Sequence, residues 1–174
     1  DYLSIGRPDA ALELGWFALS IDPDAPAPHA FLATAYLMAG DHESAGFHHW
    51  MSMMNMDVRS PRAAVNEAWL GEADHDLVGG LLAWERVRGL RKTKARIAGW
   101  HGGWLRRNDR MAEAHGVVYD PSWSGHQDPD LYAERVRISH VRGDQGRASD
   151  ALGQLMAFFP GHPYIVDLEQ LLSD

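Results

Sequence analysis

Apolar residues in this chain recur at helical spacing, and breaks of Gly, Pro, Asn and Asp divide them into short segments. The stretch from Pro26 to Asp57 shows the pattern best. It predicts two amphipathic helices, near 28–39 and 42–56, joined by a tight turn at Gly40-Asp41. Upstream, Pro8-Asp9 opens a helix to about Ser20, with Leu12, Leu14, Phe17 and Leu19 expected to be buried. Downstream, Ser60-Pro61 is a start signal for a helix to about Glu72, with Ser at the cap and Pro in the first turn. Leu77, Leu81, Trp84 and Val87 mark a helix from Asp76 to about Gly89. A long helix follows over 91–107, although it contains Gly99, Gly102 and Gly103. Each glycine weakens a helix by about 1 kcal/mol relative to Ala, so close backbone contact is expected there. Further helices are predicted over 109–118, 129–142, 145–159 and 163–172. Ser122 to Asp128 is the longest expected loop and holds Trp123. No segment predicts a strand.

The breaks are periodic. From Gly40, Gly6 lies 34 residues before, Asp74 lies 34 after, Asn108 another 34, and Gly143 another 35. Gly and Asn most easily take the left-handed conformation at which one helix ends before the next begins. Neighbouring positions move with these turns. Tyr2, Tyr36, Leu70 and Trp104 stand four before them, and Ala11, Ala45 and Ala148 stand five after. Small residues at the alanine positions let two helices cross closely, while large ones before the turn fill the space between pairs. Each pair leaves an apolar face open until the next stacks on it.

These residues resemble the tetratricopeptide repeat, whose pattern runs W-x2-L-G-x2-Y, then A-x3-F, then P. The stretch after Pro28 offers His29-x2-Leu32-Ala33-x2-Tyr36, then Ala45-x3-His49. The unit before it keeps Gly6, Ala11-x3-Gly15, Ala18 and Ile21-Asp22-Pro23. The last keeps Gly143-Asp144, Ala148-x3-Leu152 and Pro160, with Tyr132 opening its first helix. Another has Ile97-x2-Trp100-His101-x2-Trp104. The unit around Asp74 departs most, with Asn66 and Gly79 where the family has apolar or alanine residues. The resemblance implies an all-α, right-handed superhelix, a solenoid of antiparallel helix pairs. One domain over 1–174 is expected: a partial unit at 1–23, units at 26–57, 60–90, 91–121 and 129–160, and a capping helix at 162–174. Because Asp1 falls inside what reads as a first helix, a fragment of a longer chain is expected.

Composition adds limits. There is no cysteine, so disulfides and thiolate metal sites are excluded. No apolar run is long enough to span a membrane and no signal-peptide pattern opens the chain, so a cytoplasmic location without membrane association is expected. Nine of the sixteen basic residues, Arg86, Arg88, Arg91, Lys92, Lys94, Arg96, Arg106, Arg107 and Arg110, fall in one belt, opposed inside it only by Asp109. The remainder carries 7 basic and 23 acidic residues, a field that disfavours nucleic acid. The belt reads either as a solvated face or as a docking patch for an acidic partner.

Motifs for chemistry are few. His48-His49-Trp50-Met51-Ser52-Met53-Met54-Asn55-Met56 contains copper-ligand types. His49, Met53 and Met56 nevertheless share one helix face, as core residues do, so no metal and no cofactor is expected. His42-Glu43 begins a zinc-protease motif that fails at Gly46. Trp100 and Trp104, four apart, fit inter-unit packing better than ligand stacking. No paired acid and base appears, and an enzyme is not expected. The resemblance implies a binding scaffold for a peptide or helix of a partner protein, with ligand or metal sensing and self-association as alternatives. Its first helices would line a concave face, reached from positions six and two before each turn: Thr34 and Met38, Ala68 and Glu72, Gly102 and Arg106, Arg137 and Val141. The family's carboxylate-gripping Lys/Asn/Arg clamp is mostly Ala and Gly at these positions, so that activity is not expected.

Overall fold

Proline placement starts the helices. With φ already near its helical value and no N–H to lose, proline suits a first turn, and it opens four of the helices below. The computed structural model describes residues 7–55, 61–88 and 95–173. Among them the helices are α1 (Pro8–Ile21), α2 (Pro26–Ala39), α3 (His42–Asn55), α4 (Pro61–Ala73), α5 (Leu77–Arg88), α6 (Ala95–Arg107), α7 (Met111–Val118), α8 (Pro129–Val141), α9 (Gln145–Phe158) and α10 (Tyr164–Ser173). A short 3₁₀ turn, Pro121–Trp123, begins the expected loop, and the Trp123 indole donates to the Val117 carbonyl at 3.0 Å. No strand occurs among the described residues.

Four inter-helix turns share one construction. A left-handed residue ends the first helix at Gly40 (φ 79°), His75 (φ 59°), Asp109 (φ 59°) and Gly143 (φ 75°). The next amide then reaches back to a carbonyl of the last helical turn: Asp41 to Tyr36 (3.0 Å), Asp76 to Gly71 (2.7 Å), Arg110 to Leu105 (2.9 Å) and Asp144 to Ser139 (2.9 Å). These bonds satisfy carbonyls that the helix leaves open. In three of the four turns that same residue is an aspartate capping the following helix. Asp41 accepts from the Ser44 amide, Asp76 from Gly79 and Asp144 from Arg147. The turn expected at Gly6 lies outside the described residues.

The two middle turns fall one residue later than the sequence suggests. Asn108 tolerates the left-handed conformation well, but its side chain instead donates to the Trp104 carbonyl at 2.8 Å. Asp109 takes the strained position. Five residues after the observed turns stand Ala45, Gly80, Ala114 and Ala148, all buried. The shifted register therefore supplies a small residue in each of these four pairs, including the one that departs most from the family pattern.

The chain divides into two compact units, 1–93 and 94–174. In the first, α1 packs on α2, α2 on α3, α4 on α5, and α4 also on α2 and α3. Its α1 buries Ala11, Gly15 and Leu19. This corrects the expected burial: Leu14 and Phe17 point to solvent, because α1 approaches α2 along a small-residue stripe. A Cβ on Gly15 would meet the Leu32 side chain at 2.5 Å. On α3 the buried face is Ala45, His48 and Ser52. His49 and Met53 are only half-buried, and Met56 lies outside the described residues.

In the second unit α6 packs on α7 and α8, and α10 lies on α8 and α9. Leu168 of α10 joins a core with Tyr132, Val136, Leu152 and Leu155. Of the α6 glycines, Gly99 makes the close backbone contact expected there, while Gly102 and Gly103 make room for side chains. A Cβ on Gly99 would meet the backbone of Asp130 and Leu131 at 2.6 Å, one on Gly102 the Val118 side chain at 2.3 Å, and one on Gly103 the Glu134 carboxyl carbon at 3.1 Å. Trp104 is fully buried, while Trp100 is half-buried. No helix among the described residues is long and apolar enough to cross a membrane.

Candidate functional site

The eight residues expected on the first-helix face divide by burial. Thr34 and Ala68 are fully buried, and Gly102 is buried against α7. These three present no side-chain surface to a partner, a correction that follows partly from the turn shift. Counted from His75 and Asp109, the equivalents of Thr34 are Trp69 and Gly103. Glu72, Arg106 and Arg137 are half-buried, and Met38 and Val141 are exposed.

In the first unit the face between α2 and α4 is a closed polar knot. Thr34 Oγ1 lies 2.8 Å from Asn66 Oδ1 and 3.1 Å from the Ala30 carbonyl, and it accepts from an Arg62 terminal nitrogen at 3.0 Å. Asn66 donates to that same carbonyl at 2.9 Å. A buried amide is tolerated when its hydrogen bonds are made, and Asn66 has both kinds. This explains the polar residue at an otherwise apolar family position.

In the second unit the structure brings two expected residues onto one they were not expected to share. Arg106 Nε donates to Glu134 Oε2 at 2.9 Å, and an Arg137 terminal nitrogen donates to Glu134 Oε1 at 2.7 Å. Glu134 is buried, with Gly103 beneath it. The Arg137 guanidinium also sits 5.4 Å from the centre of the Tyr164 ring, a cation–π contact. Beside this trio, Tyr164 donates to Asp130 Oδ1 at 2.9 Å, and Arg96 Nε approaches Asp130 at 3.4 Å and Asp128 at 3.5 Å. Burial pushes the Asp130 carboxyl up to about 6, helped by the neighbouring Asp128 charge. Burial also raises Asp128, against the amides of Asp130 and Leu131 that it caps. Burial and the Asp130 charge raise the Tyr164 phenol.

Much of the basic belt is matched by acids in the same way: Arg86 by Glu67, Arg96 by the aspartates, Arg106 by Glu134 and Arg110 by Glu113. Arg91, Lys92 and Lys94 lie outside the described residues.

The histidine-rich stretch is taken up by packing. His48 stacks on Tyr36 at 5.4 Å and meets the edges of Trp16 and Phe47. Its Nδ1 lies 2.8 Å from His29 Nδ1, and His29 Nε2 lies 3.1 Å from the Pro23 carbonyl. When His29 Nε2 donates to the Pro23 carbonyl, its Nδ1 accepts and His48 Nδ1 is the donor in the pair. Burial, and secondarily His29, lowers His48 to about 4. Trp50 and Met54 face solvent. Among the described residues no three His, Asp or Glu side chains converge as metal ligands.

Glu134, Asp130 and Tyr164 carried no signal in the sequence on their own. Glu134 stands nine residues before its turn, the position Asn66 holds before His75. Only a correct register pairs each with the residue six before the previous turn, Thr34 for Asn66 and Gly103 for Glu134.

No protein-family model and no curated protein matches the chain. Solved structures do. A tetratricopeptide repeat protein from Parabacteroides merdae superposes with a TM-score of 0.78 at 14% identity, covering 99% of this chain and 67% of that one. A thermophilic TPR protein of Thermus thermophilus gives 0.79 at 15% identity, with 97% and 92% covered. A chain of the APC/C Cut9-Hcn1 hetero-tetramer gives 0.69 at 12% identity, and this chain spans 35% of its length. The turns described above recur once per helix pair, and the superpositions run nearly end to end, so the chain is a divergent protein of the tetratricopeptide-repeat fold.

Proposed function

We propose that the chain is a protein–protein interaction scaffold, not an enzyme, that binds an acidic peptide or helix of a partner protein, within a larger regulatory protein. One observation carries the acidic preference. Arg106 and Arg137, on the first helices of successive pairs, are both anchored to Glu134, yet Arg106 keeps one terminal nitrogen, and Arg137 keeps Nε and its other terminal nitrogen, unbonded to the described protein. Two guanidinium groups on one carboxylate leave a net positive charge held in place before any partner arrives. Such preorganisation lowers the ordering entropy lost on binding. The Asp128–Asp130 pair supports scaffolding over catalysis, since Arg96 and Tyr164 already engage it.

A labelled Glu-rich helical peptide and its Gln analogue test this by fluorescence polarisation. The wild type is expected to prefer the Glu peptide by about tenfold at low salt, and the Arg106→Gln/Arg137→Gln pair to lose that preference while remaining folded. Equal affinity of the wild type for both peptides removes the acidic-partner reading.

Self-association is a second reading, favoured by Leu14, Trp16, Phe17 and Ile21, which are 49–72% exposed along α1. Apolar clusters of this kind mark contact surfaces. Light scattering across a concentration series is then expected to show growing mass that Phe17→Ser/Ile21→Ser suppresses. A constant monomer mass excludes it.

A further inference from the structure

The second unit has a cleft of about 540 Å³ outside the first-helix face, between the α7–α8 connection, α8 and the length of α9. Arg135 lines it from α8. It is two residues from Arg137, and residues two apart on a helix do not face each other. The Arg135 Nε donates to the Val118 carbonyl at 2.8 Å, which fixes the plane of the guanidinium. The group lies between two rings, 5.4 Å from the centre of Tyr119 and 5.7 Å from that of Tyr132. Those rings are held in turn. Tyr119 bonds Ser139 at 2.7 Å, and Tyr132 stacks on Phe158 at 6.0 Å with an interplanar angle of 16°. Both terminal nitrogens of Arg135 make no hydrogen bond to the described protein. A half-buried guanidinium with its paired donors unused is a fork for a planar, two-oxygen acceptor.

The other charges narrow the choice. Arg147 also lines the cleft, 5.6 Å from the centre of the Tyr119 ring and paired to Asp144. Asp120 and Asp150 line it too, and Asp150 makes no hydrogen bond or ion pair within the described protein. Two cations and two carboxylates cancel, which disfavours a dianion and leaves the geometry of Arg135 to decide. Phe158, 45% exposed at the cleft, offers an aromatic face to a flat apolar body. We propose that this cleft binds a carboxylate carried on an aryl or similar apolar group, gripped two-fold by an Arg135 that the tyrosines hold in place, with the apolar group against Phe158. It goes beyond the scaffold reading and does not depend on it.

The test is titration of the protein with 3-phenylpropionate, its amide, phenyl phosphate and an N-acetylated, C-amidated Phe-Glu dipeptide, followed by calorimetry and by amide shifts of Val118 and Tyr119. The acid is expected to bind at least about tenfold more tightly than the amide, as a charge-assisted bidentate bond implies. Binding of the dipeptide as strong as the free acid assigns the carboxylate to an acidic side chain of a peptide. Stronger binding of the free acid assigns it to a small molecule. Arg135→Lys keeps the charge and loses the fork, and should weaken the acid about tenfold. Because Arg135 is packed, two exposed positions give an independent reading. Asp150→Asn should tighten binding several-fold, and Arg147→Gln should weaken it. Equal binding of acid and amide, preference for phenyl phosphate, or weakening by Asp150→Asn overturns the proposal.

Discussion

Acidifying the protein from about pH 7 to about pH 4.5 is expected to loosen α3 while tightening α8 and α10. His48 ionises near 4 in the folded chain, against 6.5 ordinarily, because burial among Trp16, Tyr36 and Phe47 disfavours its charged form. The unfolded chain therefore binds this proton first. The His48 contribution to stability is complete above 6.5 and lost as pH falls towards 4. Asp130 runs the other way. Its carboxyl holds a proton up to about 6 when folded, against 3.8 ordinarily, so its contribution is complete below 3.8 and lost as pH rises through 6. Each of these two displacements corresponds to roughly 3 kcal/mol. His49 acts in the direction of His48, and Asp128 in that of Asp130. His115 on α7 opposes Asp130, so the second unit is best followed at α8 rather than as a whole. Hydrogen exchange of individual amides across this range checks the signs. Protection that rises or falls together in α3 and α8 contradicts the assignment.

Gly99→Ala is expected to destabilise the second unit by about 2–3 kcal/mol, despite the higher helix propensity of alanine. The added methyl would lie 2.6 Å from the backbone of Asp130 and Leu131. Backbone cannot rotate aside as a side chain can, so α6 and α8 must separate, and the Arg96–Asp130 and Arg106–Glu134 pairs bridge the same two helices. Gly153→Ala is the contrast. It sits exposed in α9 with nothing within 4 Å of a new methyl, and should stabilise by about 0.5–1 kcal/mol. Urea midpoints of the two variants should move in opposite directions. A stabilised Gly99→Ala protein would show that the helices do not approach so closely.

Helix content and pairing were legible because their signals are local. Proline at a first turn, glycine at a left-handed end and aspartate at the following cap act within a few residues of where they stand. Asp74 and Asn108 show the limit. Residue type suggested which position would take the strained φ, but Asn108 had another use for its amide, and the strain passed to Asp109. Burial on α1 departs from the sequence pattern for a related reason. Side-chain size favours Leu14 and Phe17, while the helix contact runs through Ala11 and Gly15. The site was legible only in its arginines. Glu134 lies 28 residues from Arg106 and looks like any helical glutamate until the two helices stand side by side. The shielding of Asp130 depends likewise on Tyr164, which reaches it from a helix 34 residues away.

The pairing of Thr34 with Asn66, and of Gly103 with Glu134, makes neighbouring helix pairs non-interchangeable. A threonine hydroxyl matches the short amide opposite it, whereas a bare glycine leaves room for the longer glutamate. If the modules were shuffled, Glu134 would crowd a hydroxyl and Asn66 would fall short across a gap. The order of the modules is thus written into the seam between them, and exchange or duplication of one repeat requires its neighbour to change as well.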